Sequence, residues 1–416
     1  MRLPIIPELR STLLLVSALL ALAFFSSPGF AGKGDKTYQL EYRVVLQPLT
    51  DSARVTIHIS DGGLLNSVDF NIDPQRYSDI KADGKVSIKD GRAVWEPPEG
   101  AVKFEFTAKI SSKRDNGKYD ARITEDWAIF RGDNLIPAAA VKAVKGATSE
   151  ARLNFQLPSG WSHVDTGWPR DKNGSFIIDN PQRNFDRPVG WIIAGKVGTR
   201  RDFISGTEIS VAAPRGSALQ RMDVLAFFNF VWPQVERTFH KLPPKLLIVG
   251  AGDPMWRGGL SASNSLFLHA DRPLVSENGT SSLLHELVHV ITRISAENNA
   301  DWIVEGLAEY YSIELLYRSG GMTDARYQKV RRWLINWSKK VTTLRVKRSS
   351  GPTTARAVVL LQDLDREIRE RTGNQRSLDD VTRELMQVGK VSLKILRSSA
   401  EGLAGGKLAT LESELL

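Results

Sequence analysis

The amino-acid sequence predicts an α+β protein in which a β-rich half precedes a mostly helical half. Up to about residue 205, short runs of alternating apolar and polar residues are separated by turn-forming pairs such as Asp83-Gly84. From about residue 217, apolar residues recur at helical spacing instead. We predict an antiparallel β domain over residues 37–205, built as a sandwich or saddle of sheets. A mostly helical domain with a small edge-strand sheet follows over residues 206–416.

The composition is that of a globular protein without cysteine chemistry. The chain has 416 residues, of which 42% are hydrophobic and 25% charged, so it is long enough for two or three domains with separate cores. The absence of cysteine excludes disulfides, cysteine nucleophiles and cysteine-ligated metals. The net charge of +9 is spread along the chain without a nucleic-acid-binding motif, so we expect no nucleic-acid partner. A solvated basic face is the simplest interpretation, and weak attraction to acidic surfaces is the alternative.

The first 31 residues have the pattern of a secretory signal. Arg2 and Arg10 precede an apolar run over residues 13–25, and small residues follow up to Ala31. We therefore expect cleavage after Ala31 and export to the periplasm or the exterior. The run is short against the roughly 20 residues of a membrane span, so an uncleaved membrane anchor is the alternative. After removal of this leader we expect no stable membrane span.

The individual elements follow from the same periodicities. The clearest strands of the first half are predicted at residues 38–46, 54–59, 102–110, 151–157 and 191–197. Further strands are predicted at 245–250 and 265–269. Helices are predicted at 222–239 with a break near Pro233, and at 282–294, 301–317, 323–341, 355–372 and 378–388. The segment after Ser398 is interpreted as a low-complexity tail.

A candidate metal site lies on two consecutive predicted helices. His285 and His289 stand four residues apart in an apolar helical run, so both imidazoles share one helix face. After His289 the helix continues for roughly 7 Å before a polar loop. Asp301 is a good N-cap for the next helix, and Glu305 lies about 6 Å along it. If the two helices are antiparallel, Glu305 returns to the level of the histidines.

These residue types predict hydrolytic zinc chemistry. Two histidines and one carboxylate form the ligand set of a catalytic zinc site, with one position left open for water. Glu286, next to His285, is placed to take a proton from that water as it attacks a polarised carbonyl. Glu309 lies one turn beyond Glu305 and is predicted to accept a hydrogen bond from a liganding histidine. The alternative for Glu309 is an ordinary surface carboxylate.

Longer segments carry a family likeness. HELVH at residues 285–289 and WIVEGLAEYY at 302–311, with weaker likeness at 185–188 and 376–381, resemble the gluzincin zinc metallopeptidases. The sequence is most similar to the glycyl aminopeptidase family and more distantly to the large zinc aminopeptidases. The resemblance implies a thermolysin-like catalytic domain over residues 206–416 that acts on peptide or protein substrates. It also implies substrate contacts on an edge strand, at Gly258, Gly259, Leu260 and Ser261.

Two positions depart from the family pattern. The glutamate that grips the substrate's amino group in these aminopeptidases is replaced by Ser261, although a buried ammonium group needs a carboxylate partner. The tyrosine that helps to stabilise the oxyanion aligns with Thr354, and Arg356 is the candidate that substitutes for it. One alternative is therefore a zinc-binding relative with weak or no activity that binds peptides or envelope components. Another is a scaffold without metal. The natural substrate and the oligomeric state stay open.

Overall fold

A computed structural model describes residues 36–180 and 185–416 of the chain. The signal sequence predicted over residues 1–31 lies outside these ranges. Within them, no helix combines the length and the apolar character needed to cross a membrane. The described residues form a mixed α+β fold in which most strands precede most helices.

Strands dominate the first half because apolar and polar residues alternate and so present one face to a core. In β1 (Thr37–Gln47), for example, Tyr38, Leu40 and Tyr42 are buried while the residues between them are partly exposed. One short helix, α1 (Gly132–Leu135), interrupts the strands. The other strands of this half are β2 (Ser52–Ile59), β3 (Leu65–Asn71), β4 (Tyr77–Ala82), β5 (Lys85–Lys89), β6 (Arg92–Glu96), β7 (Val102–Lys109), β8 (Ser112–Lys113), β9 (Tyr119–Ile123), β10 (Trp127–Arg131), β11 (Ala139–Ala143), β12 (Thr148–Gln156), β13 (His163–Thr166), β14 (Phe176–Ile178) and β15 (Trp191–Gly195).

These strands form three sheets, with the orders β14-β12-β1-β2-β7-β4, β11-β3-β6-β5 and β13-β15-β10-β9-β8. Most neighbouring pairs are antiparallel, but β1 pairs with β12 in parallel. The prediction of antiparallel pairing is therefore wrong at this pair. Alternation along a strand shows which face is buried, but it does not show the direction from which a strand distant in sequence arrives.

A further five-stranded sheet borders the candidate site. Its order is β16-β17-β18-β20-β19, and β19 is its edge strand. The predicted domain division at residue 205 falls in the turn that joins β16 and β17 of this sheet. The division itself stays a prediction. The strands of this sheet are β16 (Val197–Ile204), β17 (Thr207–Pro214), β18 (Lys245–Ala251), β19 (Gly259–Ala262) and β20 (Ser265–His269).

Helices form most of the remaining chain. The predicted break near Pro233 is wrong, because α2 is continuous and Pro233 lies on its exposed face, where water can bond the freed carbonyl. The predicted tail after Ser398 is also wrong in part, because α8 (Leu393–Ala404) extends into it and Ala400, Leu408 and Leu411 are buried. Two short strands, β21 (Ser295–Ala296) and β22 (Lys390–Val391), pair with each other. The helices are α2 (Arg221–Phe239), α3 (Ser282–Thr292), α4 (Asp301–Arg318), α5 (Asp324–Ser338), α6 (Pro352–Arg371), α7 (Leu378–Val388) and α8 (Leu393–Ala404).

Helix α4 is the central helix of this half and is buried around most of its circumference. An amphipathic surface helix would bury only one stripe. Gly306 allows α6 to approach closely, since a Cβ atom at this position would lie 2.9 Å from the Cβ atom of Ala357. The packing fixes the helix that carries Glu305 and Glu309 on several sides.

Candidate active site

Helix α3 presents the two histidines from a well-defined start. The Ser281 hydroxyl accepts a hydrogen bond from the Leu284 N–H at 3.2 Å, which caps the helix. His285 and His289 follow one turn apart, so they share a face that is only partly buried. Leu287, on another side of the helix, is fully buried in the core. The apolar residues thus orient α3 so that the imidazoles face α4.

Glu305 meets the two histidines across the helix pair. The Glu305 carboxylate lies 3.4 Å from His285 Nε2 and 3.6 Å from His289 Nε2, and the two Nε2 atoms are 3.1 Å apart. Ligand atoms bound at about 2.1 Å in a tetrahedron stand roughly 3.4 Å from one another. The three side chains can therefore hold one metal ion.

The start of α4 differs from the predicted one. Asp301 is the first helical residue and Ala300 is the N-cap, without a side-chain cap bond. The Asp301 carboxylate instead accepts a hydrogen bond from the backbone N–H of Ser349 at 2.6 Å. The N-cap prediction for Asp301 is therefore wrong, because a distant loop uses this carboxylate.

The site concentrates positive charge beside a carboxylate. Burial alone lowers the pKa of His285, but hydrogen bonds with Glu305 and Glu309 outweigh it and raise this pKa to about 10. Burial and the neighbouring charge of His285 lower the pKa of His289 to about 4. Burial raises the pKa of Glu305, but the hydrogen bond with His285 and nearby positive charges give a net lowering. A cation is thus favoured among these three groups, and a metal ion competes with a proton for this place.

Glu309 holds the ring of His285. Its Oε2 atom lies 3.0 Å from His285 Nδ1. An ionised carboxylate only accepts hydrogen bonds, so Nδ1 carries the proton and donates it. Nε2 then points towards Glu305 and His289, and its lone pair becomes available to a metal ion that displaces the proton from this atom.

We predict that Glu309→Gln weakens zinc binding roughly 10- to 100-fold, because the amide supports the imidazole orientation less well and makes it less basic. Competition titration against a chromophoric chelator measures this change. Glu297→Gln is the matched control, since Glu297 is exposed and undergoes the same charge change. Equal zinc affinities for the two variants would contradict a supporting role of Glu309.

The side chain of Glu286, a residue of α3, lies against the edge strand β19. The hydroxyl and backbone of Ser261 hydrogen-bond to Glu286. Burial raises the pKa of Glu286, and the His285 charge and the Ser261 hydrogen bonds offset only part of that rise. A Cβ atom at Gly259 would lie 2.7 Å from Glu286 Cγ, so a glycine is needed for this close approach. Ser261 thus contacts the candidate general base.

The edge strand is fixed from its inner side. The indole N–H of Trp191 donates a hydrogen bond to the carbonyl oxygen of Leu260 at 2.9 Å. Arg293, just after α3, donates to the side-chain oxygen of Asn264, which occupies the tight turn between β19 and β20 with a φ of 52°. Gly258 leaves space for the Trp256 ring, since a Cβ atom there would lie 2.3 Å from Trp256 Nε1. Among the described strands, β20 is the only one that pairs with β19.

Arg356, the candidate for stabilising the oxyanion, does not share the surroundings of the three metal-ligand candidates. It lines a cavity of about 190 Å³ together with Asp363 and residues of the segment 409–415, and none of the three metal-ligand candidates lines this cavity. Helical periodicity explains the position, because the neighbouring Ala357 packs against Gly306 of α4 and Arg356 is turned about 100° away from it.

Sequence reasoning did not select Arg348. This exposed residue lies in the segment between α5 and α6, and its positive charge contributes to the lowered pKa of Glu305. Its signal in the sequence is a local cluster of Arg345, Lys347 and Arg348, part of the positive charge that was interpreted as a solvated basic face.

Comparisons with known proteins identify the fold. No family model matches the chain, and neither does any curated protein. An aminopeptidase N family protein from Idiomarina loihiensis matches with a TM-score of 0.64 and 16% identity, over 84% of this chain and 70% of that one. An M1 zinc metallopeptidase from Deinococcus radiodurans matches at 14% identity over 91% and 93% of the chains. The TM-score is 0.58 for a mutant bound to a Tyr-Ser-Ala substrate and 0.56 for another structure of the enzyme.

The described residues therefore have the fold of M1 zinc metallopeptidases. At these identities the likeness is one of architecture. It does not distinguish the glycyl aminopeptidases, which the sequence motifs were predicted to resemble most, from other proteins with this fold.

Proposed function

We propose that the chain is an exported, zinc-dependent metallopeptidase of the gluzincin type that hydrolyses peptide bonds. The observation that carries this proposal is the meeting of His285, His289 and Glu305 within 4.8 Å. Glu286 lies beside this group, on a fold shared with M1 zinc metallopeptidases. Export rests on the signal pattern of residues 1–31.

Each polar group of the site has a distinct task in this reaction. His285, His289 and Glu305 would hold a zinc ion, which would supply Lewis acidity towards a substrate carbonyl group and towards water. Glu286 takes a proton from the attacking water and then gives it to the leaving amine. Ser261 holds the Glu286 carboxylate by hydrogen bonds, and Glu309 holds His285.

The substrate binds along β19. An extended peptide adds to a free sheet edge through backbone hydrogen bonds, and β19 is such an edge strand. Gly258, Gly259 and Leu260 lie at or beside this edge, and Glu286 stands against Gly259. The peptide bond to be cleaved is thereby brought next to the general base.

The substrate's amino terminus is not the main recognition element in this proposal. The position of the amine-gripping glutamate is occupied by Ser261, whose hydrogen bonds go to Glu286. The chain is therefore aminopeptidase-like in fold and catalytic residues, but we do not expect it to need a free substrate amine. The second candidate, a zinc-binding module with little activity, is favoured by Ser261 and by Thr354 at the tyrosine position.

Peptide hydrolysis by the purified protein tests the proposal. Matched peptides with free and acetylated amino termini are incubated with the zinc-loaded protein, and products are identified by mass spectrometry. We expect cleavage of both, loss of cleavage after treatment with a chelator, and recovery with added zinc. Stoichiometric zinc without cleavage would favour the binding module, and no zinc binding would contradict both candidates.

A further inference from the structure

A long basic stretch adjoins the candidate site. Between Asp324 and Asp363 the sequence contains ten lysines and arginines and no acidic residue. Within the described residues, Arg331 is the only one of these ten that forms an ion pair, and its partner is Asp363. Cations on an ordinary solvated surface are commonly interspersed with carboxylates. This stretch therefore leaves an unusual number of positive charges free to attract an anion.

The part of the stretch between α5 and α6 is firmly placed. Leu344 is fully buried, and its backbone N–H donates a hydrogen bond to the carbonyl oxygen of Leu415 at 2.9 Å. Ser349 is also buried, and its N–H donates to the Asp301 carboxylate. The side chain of Trp337 packs near Gly351, at 3.6 Å from the position that a Cβ atom there would take. Residues on both sides of Arg348 are thus anchored.

This anchoring brings Arg348 to the start of the helix that carries Glu305. Ser349, the next residue, bonds to Asp301, and Asp301 precedes Glu305 by one helical turn. The Arg348 side chain is exposed and forms no ion pair with a described carboxylate. It acts electrostatically on Glu305 without contacting it. The unpaired guanidinium group therefore belongs to a segment that is fixed one helical turn from Glu305.

The edge strand beside Glu286 carries no negative charge. None of its four residues is acidic, and Ser261 hydrogen-bonds to Glu286. A substrate ammonium group thus finds no carboxylate at this position, whereas a substrate carboxylate finds a free guanidinium. At the edge strand and at Arg348, the charges favour an anionic rather than a cationic substrate group.

We infer that Arg348 binds a carboxylate of the substrate, so that the protein selects peptides that carry a carboxylate close to the cleaved bond. The inference rests on the proposed peptidase function. A guanidinium group pairs with a carboxylate through two parallel hydrogen bonds, which gives orientation as well as attraction. The carboxylate belongs either to an acidic side chain or to the C-terminus of a short peptide. Arg345 and Lys347 add long-range attraction that salt screens.

Four matched peptides distinguish these sources. One contains Glu next to the cleaved bond and an amidated C-terminus, and the second has Gln in place of Glu. The third and fourth are the Gln peptide with a free C-terminus and a longer version that places this terminus far from the bond. Preference for the first over the second identifies a side-chain carboxylate, and preference for the third over the fourth identifies the terminus.

The residue is tested with Arg348→Gln, with Arg345→Gln as the matched control. Both positions are exposed in the same loop and lose the same charge. We expect Arg348→Gln to raise KM for the preferred peptide roughly 10- to 100-fold, because a charge-assisted pair is lost. For the control we expect a change of less than about threefold that disappears at high salt. Arg348→Lys should restore part of the loss, since it keeps the charge without the planar fork.

Binding provides a second measurement that does not depend on turnover. The Kd of a fluorescent version of the preferred peptide is measured for the zinc-loaded Glu286→Gln protein, with and without Arg348→Gln. A weaker Kd only with the Arg348 change supports the inference. Equal effects of Arg348→Gln and Arg345→Gln, or equal use of all four peptides, would overturn it while leaving the peptidase proposal intact. Selective binding of acidic peptides without any cleavage would overturn the peptidase proposal but retain the recognition role.

Discussion

Replacing Glu286 by glutamine will reduce kcat for peptide hydrolysis roughly 10²- to 10⁴-fold, while zinc stays bound. This range is the usual contribution of a positioned general base. The amide has the same shape as the carboxylate, and Gly259 leaves room for it. Its oxygen still accepts a hydrogen bond from Ser261, but it cannot take a proton from water. Initial rates at saturating peptide, with zinc content from the same sample, measure the effect.

Glu297→Gln controls for the loss of one negative charge away from the site. Glu286→Gln protein that keeps its zinc and retains full turnover would contradict a general-base role. Loss of zinc together with turnover would show that Glu286 supports the metal instead. A protein without measurable turnover in either form would match the peptide-binding alternative.

Replacing His289 by alanine will remove most of the zinc and with it the hydrolytic activity. Four-ligand structural zinc sites gain about 10–16 kcal/mol in total, so one ligand accounts for about 2.5–4 kcal/mol, or roughly 70- to 900-fold in affinity. The remaining ligands, His285 and Glu305, come from different helices and leave a second position open. Elemental analysis after dialysis against a weak chelator measures the loss.

His58→Ala is the control for this change, because His58 lies in β2 and is not one of the three candidate ligands. It should keep its zinc and its activity. The thermal unfolding of both variants is followed in the absence of metal, so that a general loss of stability can be recognised. Unchanged zinc content in His289→Ala would rule out the proposed ligand set.

The helix pair of the site could be predicted because its signals are local. Because His285 and His289 are four residues apart, they were predicted to lie on one helix face. The helix segment that follows His289 and the helix segment that precedes Glu305 have similar predicted lengths, so Glu305 was predicted to lie level with the two histidines. The structure brings these three side chains together. The bounds predicted for α7 agree with the structure, and Ser377 caps this helix in a capping box with Asp380.

The surroundings of the site could not be predicted in the same way, because they depend on contacts between distant segments. Asp301 was predicted as an N-cap, but its carboxylate bonds to Ser349, which is 48 residues away. The same hydrogen bond brings the segment of Arg348 near Glu305. A periodic pattern in the sequence does not indicate such a contact between distant segments. Arg356 was selected by alignment alone, and the rotation of α6 places it in another cavity.

Ser261 shows how a departure from a family pattern can be read incompletely. The family resemblance of the sequence predicted only the absence of an amine-binding carboxylate at this position. Only the packing of β19 against α3 showed that Ser261 contacts Glu286. Ser261 thus has a contact within the site that the sequence did not predict.

Anomalous diffraction at the zinc absorption edge, from crystals of the zinc-loaded protein, tests the central claim most directly. We expect one strong peak per chain, about 2.0–2.2 Å from His285 Nε2, His289 Nε2 and a carboxylate oxygen of Glu305. Glu286 should lie next to the peak without coordinating it. A peak bound by other residues, or none at all in crystals soaked with zinc, would contradict the account.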